Sequence, residues 1–153
     1  MKKYLFYICL FLFLFSIMIS SFLNLPQKTY AQTNANLRSE EGLLSRIIHA
    51  EAKGEPYLGK VAVGAVIINH TKSPSFPNTI AGVVYQPQAF EPVANGTINQ
   101  PAGEDAKRAA REALAGSDPT GGCIYFYNPA TAKSKWIWSR PIVKKIGKHN
   151  FAK

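Results

Sequence analysis

The chain has 153 residues, 46% of them hydrophobic, with a formal net charge of +9 at pH 7 and two cysteines. This length allows one domain with one hydrophobic core and excludes a multidomain chain, and two cysteines exclude a dense disulfide framework. The excess of basic residues favours an anionic partner.

The first segment has the features of an export signal. It begins with Lys2 and Lys3, continues as an uncharged apolar run from Tyr4 to Leu25, and ends in small residues. We predict a signal peptide over residues 1–31, with an uncleaved membrane anchor as the alternative, since the run is long enough to span a bilayer. For an exported protein the expected anionic partner is the cell wall or the membrane surface, not nucleic acid.

The remaining chain is predicted to consist of a linker over residues 32–40 and one domain over residues 41–153. Helical spacing of apolar residues predicts a first helix from about Ser39, its N-terminal cap, to Lys53. Gly54 and Pro56 are expected to end this helix. The residues on its predicted apolar face are Leu43, Leu44, Ile47, Ile48 and Glu51.

Two further long helices are predicted. Residues 57–72 are apolar nearly all round, which is typical of a central buried helix, and residues 104–115 form an alanine-rich helix that Gly116 ends. The loop between them, over residues 73–100, is expected to contain only one helical turn, near residues 80–84.

The end of the chain combines aromatic and basic residues. Residues 124–127 and 135–138 are predicted as two short strands around the turn Asn128-Pro129. Their tyrosines and tryptophans suit a glycan groove, because sugars have apolar ring faces, and packing of the strands on the helices is the alternative. No acid follows Asp118, so the basic end is either an anion-binding surface or a solvated face.

Glu51 is the candidate catalytic residue. It continues the apolar face of the first helix, so its carboxyl is expected to be buried or to line a cavity. Loss of water and the negative end of the helix dipole would both raise its pKa. Such a group donates a proton near neutral pH, as a glycosidic leaving oxygen requires. A buried Glu51 paired with Arg46, Lys53 or a backbone donor is the alternative.

A second carboxylate, the usual partner in glycoside hydrolysis, is not evident from the pattern. Glu91, in the long loop, is the best candidate by position. A mechanism with one carboxylate is also open, because a hydroxyl of the sugar itself can attack the anomeric carbon.

Other chemistries are less well supported. The three histidines show no metal-ligand spacing, so no metal and no cofactor are expected. Cys123 and a histidine would suit a thiol nucleophile, but the apolar run after Cys123 favours a small buried residue.

Several ordered blocks of the sequence share one resemblance. They are His49-Ala50-Glu51-Ala52-Lys53-Gly54-Glu55-Pro56, Val61-Ala62-Val63-Gly64-Ala65-Val66, Ser73-Pro74-Ser75-Phe76-Pro77-Asn78-Thr79-Ile80, Val84-Tyr85-Gln86-Pro87, Lys135-Trp136-Ile137-Trp138-Ser139-Arg140 and Ile146-Gly147-Lys148-His149. With these blocks, residues 43–152 resemble the catalytic domain of the spore cortex-lytic enzyme and cell-wall hydrolase family. One departure is His70-Thr71, where that family usually has Arg-Val.

The resemblance implies an α+β fold that is mostly helical and lysozyme-like or lytic-transglycosylase-like, with a small β-hairpin and a concave glycan cleft. It implies cleavage of peptidoglycan glycan strands between N-acetylmuramic acid and N-acetylglucosamine, leaving a 1,6-anhydro end. The family's catalytic glutamate corresponds to Glu51, and the muramic C6 hydroxyl then serves as nucleophile, so we expect no second acid across from Glu51. Gln86, Phe90, Tyr125 and Trp136 are the expected substrate contacts.

Three functions are therefore open. The first is an exported lytic transglycosylase or cell-wall hydrolase that acts at the wall, the spore cortex or the outer face of the membrane. The second is a non-catalytic wall-binding module held by its basic end and aromatic residues, and the third is an N-acetylmuramoyl-L-alanine amidase or wall peptidase.

Overall fold

Most of the secondary structure is helical, and the C-terminal part of the chain forms a small three-stranded sheet. The computed structural model describes residues 27–153, of which residues 38–153 form one compact unit. The helices are α1 (Gln27–Glu51), α2 (Tyr57–Lys72), α3 (Ile80–Val84), α4 (Glu91–Ala94), a 3₁₀ turn (Thr97–Asn99), α5 (Glu104–Leu114) and α6 (Lys135–Trp138). The strands are β1 (Tyr125–Tyr127), β2 (Ile142–Ile146) and β3 (His149–Ala152).

α2 is the central helix, as predicted from its apolar residues on all sides. Its side chains from Val61 to Ile67 are buried throughout. Gly64 allows α1 and α5 to approach it, because a Cβ at this position would lie 2.9 Å from Ile48 Cδ1 and 3.1 Å from the Ala113 Cβ. Because Gly64 has no side chain, α1 and α5 can pack closely against α2 at this position.

The start of α1 differs from the prediction. The helix begins at Gln27, so residues 32–40, predicted as a linker, are helical, and Ser39 lies inside the helix instead of capping it. A polar segment without apolar periodicity can still be helical, since most of its residues tolerate helix well. The signal peptide over residues 1–31 stays a prediction, because residues 1–26 lie outside the described part.

The middle of the chain follows the prediction in part. The turn predicted near residues 80–84 is α3, and the Thr79 hydroxyl caps it by accepting a hydrogen bond of 3.0 Å from the Gly82 N–H. The same loop also contains α4 and the 3₁₀ turn, which the prediction missed. α5 ends one residue earlier than expected, and Gly116 follows with a φ of +100°. A glycine tolerates this backbone conformation better than any other residue.

The sheet has the order β1-β3-β2 and is antiparallel throughout. The first predicted strand is confirmed as β1, but the second is wrong, because residues 135–138 form the short helix α6. None of the four residues of α6 is buried, so their alternating pattern did not indicate a buried strand face. The actual hairpin joins β2 to β3, with Ile146 paired with His149 around a two-residue turn.

Asp118 ties α2 to the entry of the sheet. Its carboxylate accepts hydrogen bonds from the Thr120 hydroxyl at 2.6 Å and from the Asn69 amide at 3.0 Å, among others. Burial acts to raise the pKa of Asp118, but these hydrogen bonds outweigh it and lower the pKa to about 2. Cys123, just before β1, is fully buried, and its thiol donates to the Thr120 carbonyl at 3.3 Å.

Within residues 27–153, no helix combines the length and the apolar character needed to cross a membrane.

Candidate active site

Glu51 is the last residue of α1, and its side chain lines two cavities. The predicted apolar face of this helix is confirmed, since Leu44, Ile47 and Ile48 are fully buried. These residues anchor α1 in the core, and Glu51 continues their face where the helix reaches the cavities. The position of the carboxyl is therefore set by core packing.

Burial raises the pKa of Glu51 to about 7, and the negative charge of Glu91 adds to the increase. Among the residues that the structure describes, none forms a salt bridge or a hydrogen bond that would hold this carboxyl ionised. The alternative role for Glu51, a carboxylate paired with Arg46 or Lys53, therefore has no support in the described structure. A carboxyl with this pKa keeps its proton up to neutral pH and can donate it.

The first cavity, of about 350 Å³, is lined mainly by apolar and aromatic side chains. Three of the four predicted substrate contacts, Gln86, Phe90 and Tyr125, lie on its wall together with Glu51. The fourth, Trp136, lines neither cavity. It is half exposed and packs edge-on against Tyr125, with ring centroids 5.1 Å apart.

Glu91 lines the first cavity as well, at the start of α4. The expectation that no second acid faces Glu51 is therefore wrong. Glu91 is the residue that the sequence indicated as the best second carboxylate by position, and the buried residues Phe90 and Pro92 on either side of it hold it at this cavity. The site offers two carboxyls to a bound substrate.

His70 is a cavity residue that sequence reasoning noted only as a departure from the family pattern. Its ring stacks on Phe76 with centroids 4.1 Å apart, and both residues line the first cavity. Burial lowers the pKa of His70, although the nearby backbone of Ile124 opposes the shift. The imidazole is therefore neutral near pH 7, and it adds a flat ring to the aromatic wall.

The second cavity, of about 320 Å³, is polar. Glu51 and Phe126 belong to its wall as well as to that of the first cavity. Its other lining residues are Lys53, Glu55, Tyr127, Asn128, Thr131, Lys148 and His149. Glu51 thus stands between an aromatic cavity and a polar one.

Glu55 joins the end of α1 to the β2–β3 hairpin. It is buried, its Oε2 accepts a hydrogen bond of 2.9 Å from the Lys148 N–H, and it lies 3.7 Å from the His149 Nδ1. Burial lowers the pKa of His149, while the charge of Glu55 opposes the shift. The sequence places Glu55 only within the block from His49 to Pro56, and the long-range hydrogen bond reveals its structural role.

In the described part of the chain, no three His, Cys, Asp or Glu side chains come together as ligands for a metal ion. Two carboxyls, those of Glu51 and Glu91, line the first cavity.

Comparisons with known proteins identify relatives of this chain. The family described as Cell Wall Hydrolase matches residues 54–152. A spore cortex-lytic enzyme of Bacillus cereus is 51% identical over 120 residues, which are 78% of this chain and 46% of that enzyme. The cell wall hydrolase CwlJ of Bacillus subtilis is 30% identical, over 71% of this chain and 81% of that protein.

Two solved structures share the fold. The catalytic domain of the Bacillus cereus SleB protein superposes with a TM-score of 0.72 at 52% identity, covering 76% of this chain and 91% of that domain. The catalytic domain of a germination-specific lytic transglycosylase, SleB from Bacillus anthracis, gives the same TM-score and identity over 74% of this chain and 93% of that domain. The chain spans about half the length of the spore cortex-lytic enzyme of B. cereus. The predicted fold class, a mostly helical α+β domain related to lytic transglycosylases, is confirmed.

Proposed function

The chain belongs to the cell wall hydrolase family, and from that premise we propose that it cleaves peptidoglycan glycan strands as a lytic transglycosylase, with Glu51 as its catalytic acid. The bond cleaved joins N-acetylmuramic acid to N-acetylglucosamine. The names of the relatives, spore cortex-lytic enzyme and germination-specific lytic transglycosylase, support this reaction and favour cortex peptidoglycan as substrate.

The observation that carries the proposal is the state of Glu51. Its carboxyl lines both cavities and has a pKa of about 7. The matched family range begins at residue 54, after Glu51, so the assignment of this residue rests on the resemblance of residues 43–152 and on the geometry of the site. The glycosidic oxygen needs a proton in order to leave, and a protonated carboxyl at the wall of the cavity can supply it.

The reaction can be written with one carboxyl. Glu51 gives its proton to the glycosidic oxygen as the bond to the muramic anomeric carbon breaks, which releases the N-acetylglucosamine hydroxyl. The muramic C6 hydroxyl then attacks the anomeric carbon, and the ionised Glu51 takes its proton. The product is a 1,6-anhydromuramic end, and Glu51 is again protonated for the next cycle.

Glu91 supports a second candidate reaction at the same site, which is hydrolysis. Its carboxylate lines the first cavity with Glu51 and is close enough to raise the pKa of Glu51. As a general base it would activate water for attack on the anomeric carbon, and the product would then carry a reducing muramic end.

Product analysis distinguishes these functions. The parent chain, Glu51→Gln and Glu91→Gln would be incubated with purified cortex and vegetative peptidoglycan, and the soluble fragments identified by mass spectrometry. We expect anhydromuramic ends from the parent and from Glu91→Gln, and a loss of at least about 100-fold in rate for Glu51→Gln.

Each alternative has its own result. Reducing ends that disappear in Glu91→Gln would establish hydrolysis, and free stem peptides would indicate an amidase. Binding to the wall without release of fragments would leave a non-catalytic wall-binding module. Glu104→Gln, which changes an exposed carboxylate on α5, is the matched control and should retain the parent rate.

Action on peptidoglycan implies a location outside the cytoplasmic membrane, and we propose that the protein is exported. The basic excess of the whole chain supports contact with an anionic wall or membrane surface as well. Fractionation of cells or spores, with an antibody against residues 38–153, would test this location.

A further inference from the structure

The substrate in the proposed reaction carries a branch close to the bond that breaks. The sugar whose anomeric carbon reacts is muramic acid, and its lactyl group on the same ring carries a peptide with free carboxylates. With Glu51 at the reacting bond, this branch has to enter space beside Glu51. The inference below therefore rests on the proposed function.

The two cavities beside Glu51 differ in chemistry. The first has a wall of aromatic rings and carries the carboxylate of Glu91, so it suits sugar faces and repels a carboxylate. The residues that line the second cavity include Lys53, Lys148, Asn128 and Thr131, whose side chains carry ammonium, amide and hydroxyl groups. A charged peptide branch fits the second cavity better than the first.

The two lysines are available to a ligand. Both side chains are exposed, and within residues 38–153 neither ammonium lies within 4.0 Å of a carboxylate, since the ion pairs found there involve other cations. Lys148 interacts with Glu55 only through its backbone N–H. Both positive charges can therefore pair with an incoming carboxylate.

The acidic residues of this cavity do not cancel these charges. The Glu55 side chain is 4% exposed and its Oε2 accepts the Lys148 N–H, so it is withdrawn from the open space. Glu51 is uncharged in the protonated form that starts the reaction. The exposed charges at the wall are then the two ammonium groups, Lys53 and Lys148.

Asn128 adds a directed donor. Its Oδ1 accepts a hydrogen bond of 2.9 Å from the Ala130 N–H, which fixes the side chain and leaves the amide N–H₂ free to donate. Peptide carbonyls are the natural acceptors for such a group.

We propose that this second cavity binds the carboxylate-bearing peptide branch of the muramic acid residue, with Lys53 and Lys148 pairing with its carboxylates and Asn128 donating to its peptide carbonyls. The cavity thereby distinguishes muramic acid from N-acetylglucosamine at the glycosidic bond whose oxygen Glu51 protonates.

The test compares two forms of one substrate. Soluble peptidoglycan strands are used either intact or after conversion of the peptide carboxylates to amides, which removes charge and keeps size. The apparent KM of the full chain is measured on both forms, for the parent, for Lys53→Gln/Lys148→Gln and for the control Lys72→Gln. Lys72 is an exposed lysine at the end of α2 that lines neither cavity.

For the parent and the control, we expect amidation to raise the apparent KM about fivefold or more, as loss of two exposed ion pairs implies. For the double variant, the two forms should have nearly equal apparent KM values. A parent that is indifferent to amidation, or a double variant as sensitive as the parent, would overturn the inference while leaving the proposed function intact. A parent that cleaves neither form would overturn the proposed function and this inference with it.

Discussion

The Oε2 atom of Glu55 accepts a hydrogen bond of 2.9 Å from the backbone N–H of Lys148, which is 93 residues further along the chain. This bond connects the turn after the helix of Glu51 to the tip of the β2–β3 hairpin. Because β3 pairs with β1, the same connection fixes Phe126, which lines both cavities, relative to Glu51.

Replacing Glu55 by Gln should therefore destabilise the fold and misplace the cavity wall. Loss of a charge-assisted hydrogen bond at a buried site costs about 1–3 kcal/mol, which urea unfolding followed by circular dichroism would measure. Glu104→Gln, on an exposed part of α5, should leave the free energy of unfolding nearly unchanged. An equally stable Glu55→Gln variant would show that this bond does not hold the hairpin.

The hairpin turn also predicts a strong effect of Gly147→Ala. Gly147 has a φ of +57°, and a Cβ there would overlap Glu55 Oε2 and lie 2.7 Å from the Pro56 Cδ. We expect a loss of about 3 kcal/mol or more, from backbone strain and steric overlap together.

Gly116→Ala is the matched control for this substitution. Gly116 has a φ of +100°, but nothing lies within 4 Å of its added Cβ. Strain alone should cost about 1 kcal/mol there. Equal losses in thermal unfolding for the two variants would contradict the close contact at Gly147.

The rate of cleavage should fall as the pH rises through about 7, because Glu51 then loses the proton it donates. Glu91→Gln removes the charge that raises the pKa of Glu51, so its alkaline limb should move to lower pH. The shift is expected to be partial, since burial is the larger cause. A pH profile of kcat for both chains measures it, and an unmoved limb would show that Glu91 does not act on Glu51.

The pKa of Glu51 also predicts how stability depends on pH. The folded chain holds this proton up to about pH 7, whereas the unfolded chain releases it near 4.5, so stability falls between these values as the pH rises. Because the glutamine side chain does not titrate, the Glu51→Gln variant should not show this loss of stability. At pH 8 the variant should be more stable than the parent by about 1–3 kcal/mol, and below pH 4.5 the two should be equal. A variant that is less stable at pH 8 would contradict a buried Glu51 with a raised pKa.

The long helices α2 and α5 were predictable because their signals are local. The bounds of α2 at Tyr57 and Lys72 agree with the prediction. Pro56 directly before the helix and the apolar run from Tyr57 to Lys72 are the local signals that indicate these bounds. The sheet was less predictable, because the pairing of β3 with both β1 and β2 depends on contacts between distant residues. The Gly147-Lys148 turn is a local signal for the β2–β3 hairpin. The prediction instead made residues 135–138 a strand, because their apolar residues alternate.

The site was partly predictable for a similar reason. Glu51 was identified from helix periodicity and family resemblance, and both describe a residue within one element. Glu91 was a candidate by position alone, and the folded structure brings it and His70 into the first cavity with Glu51. Glu55 lines the second cavity with Glu51. Their roles depend on tertiary packing, which spacing along the chain does not encode.

The burial of Cys123 determines how its thiol reacts with oxidants. Its thiol is fully buried, and burial raises its pKa above the ordinary value. Because oxidants and disulfides react with the thiolate, this sulfur is protected in an oxidising medium as long as the domain stays folded. The folded domain should therefore resist thiol-modifying reagents, and modification should become rapid only when the chain unfolds.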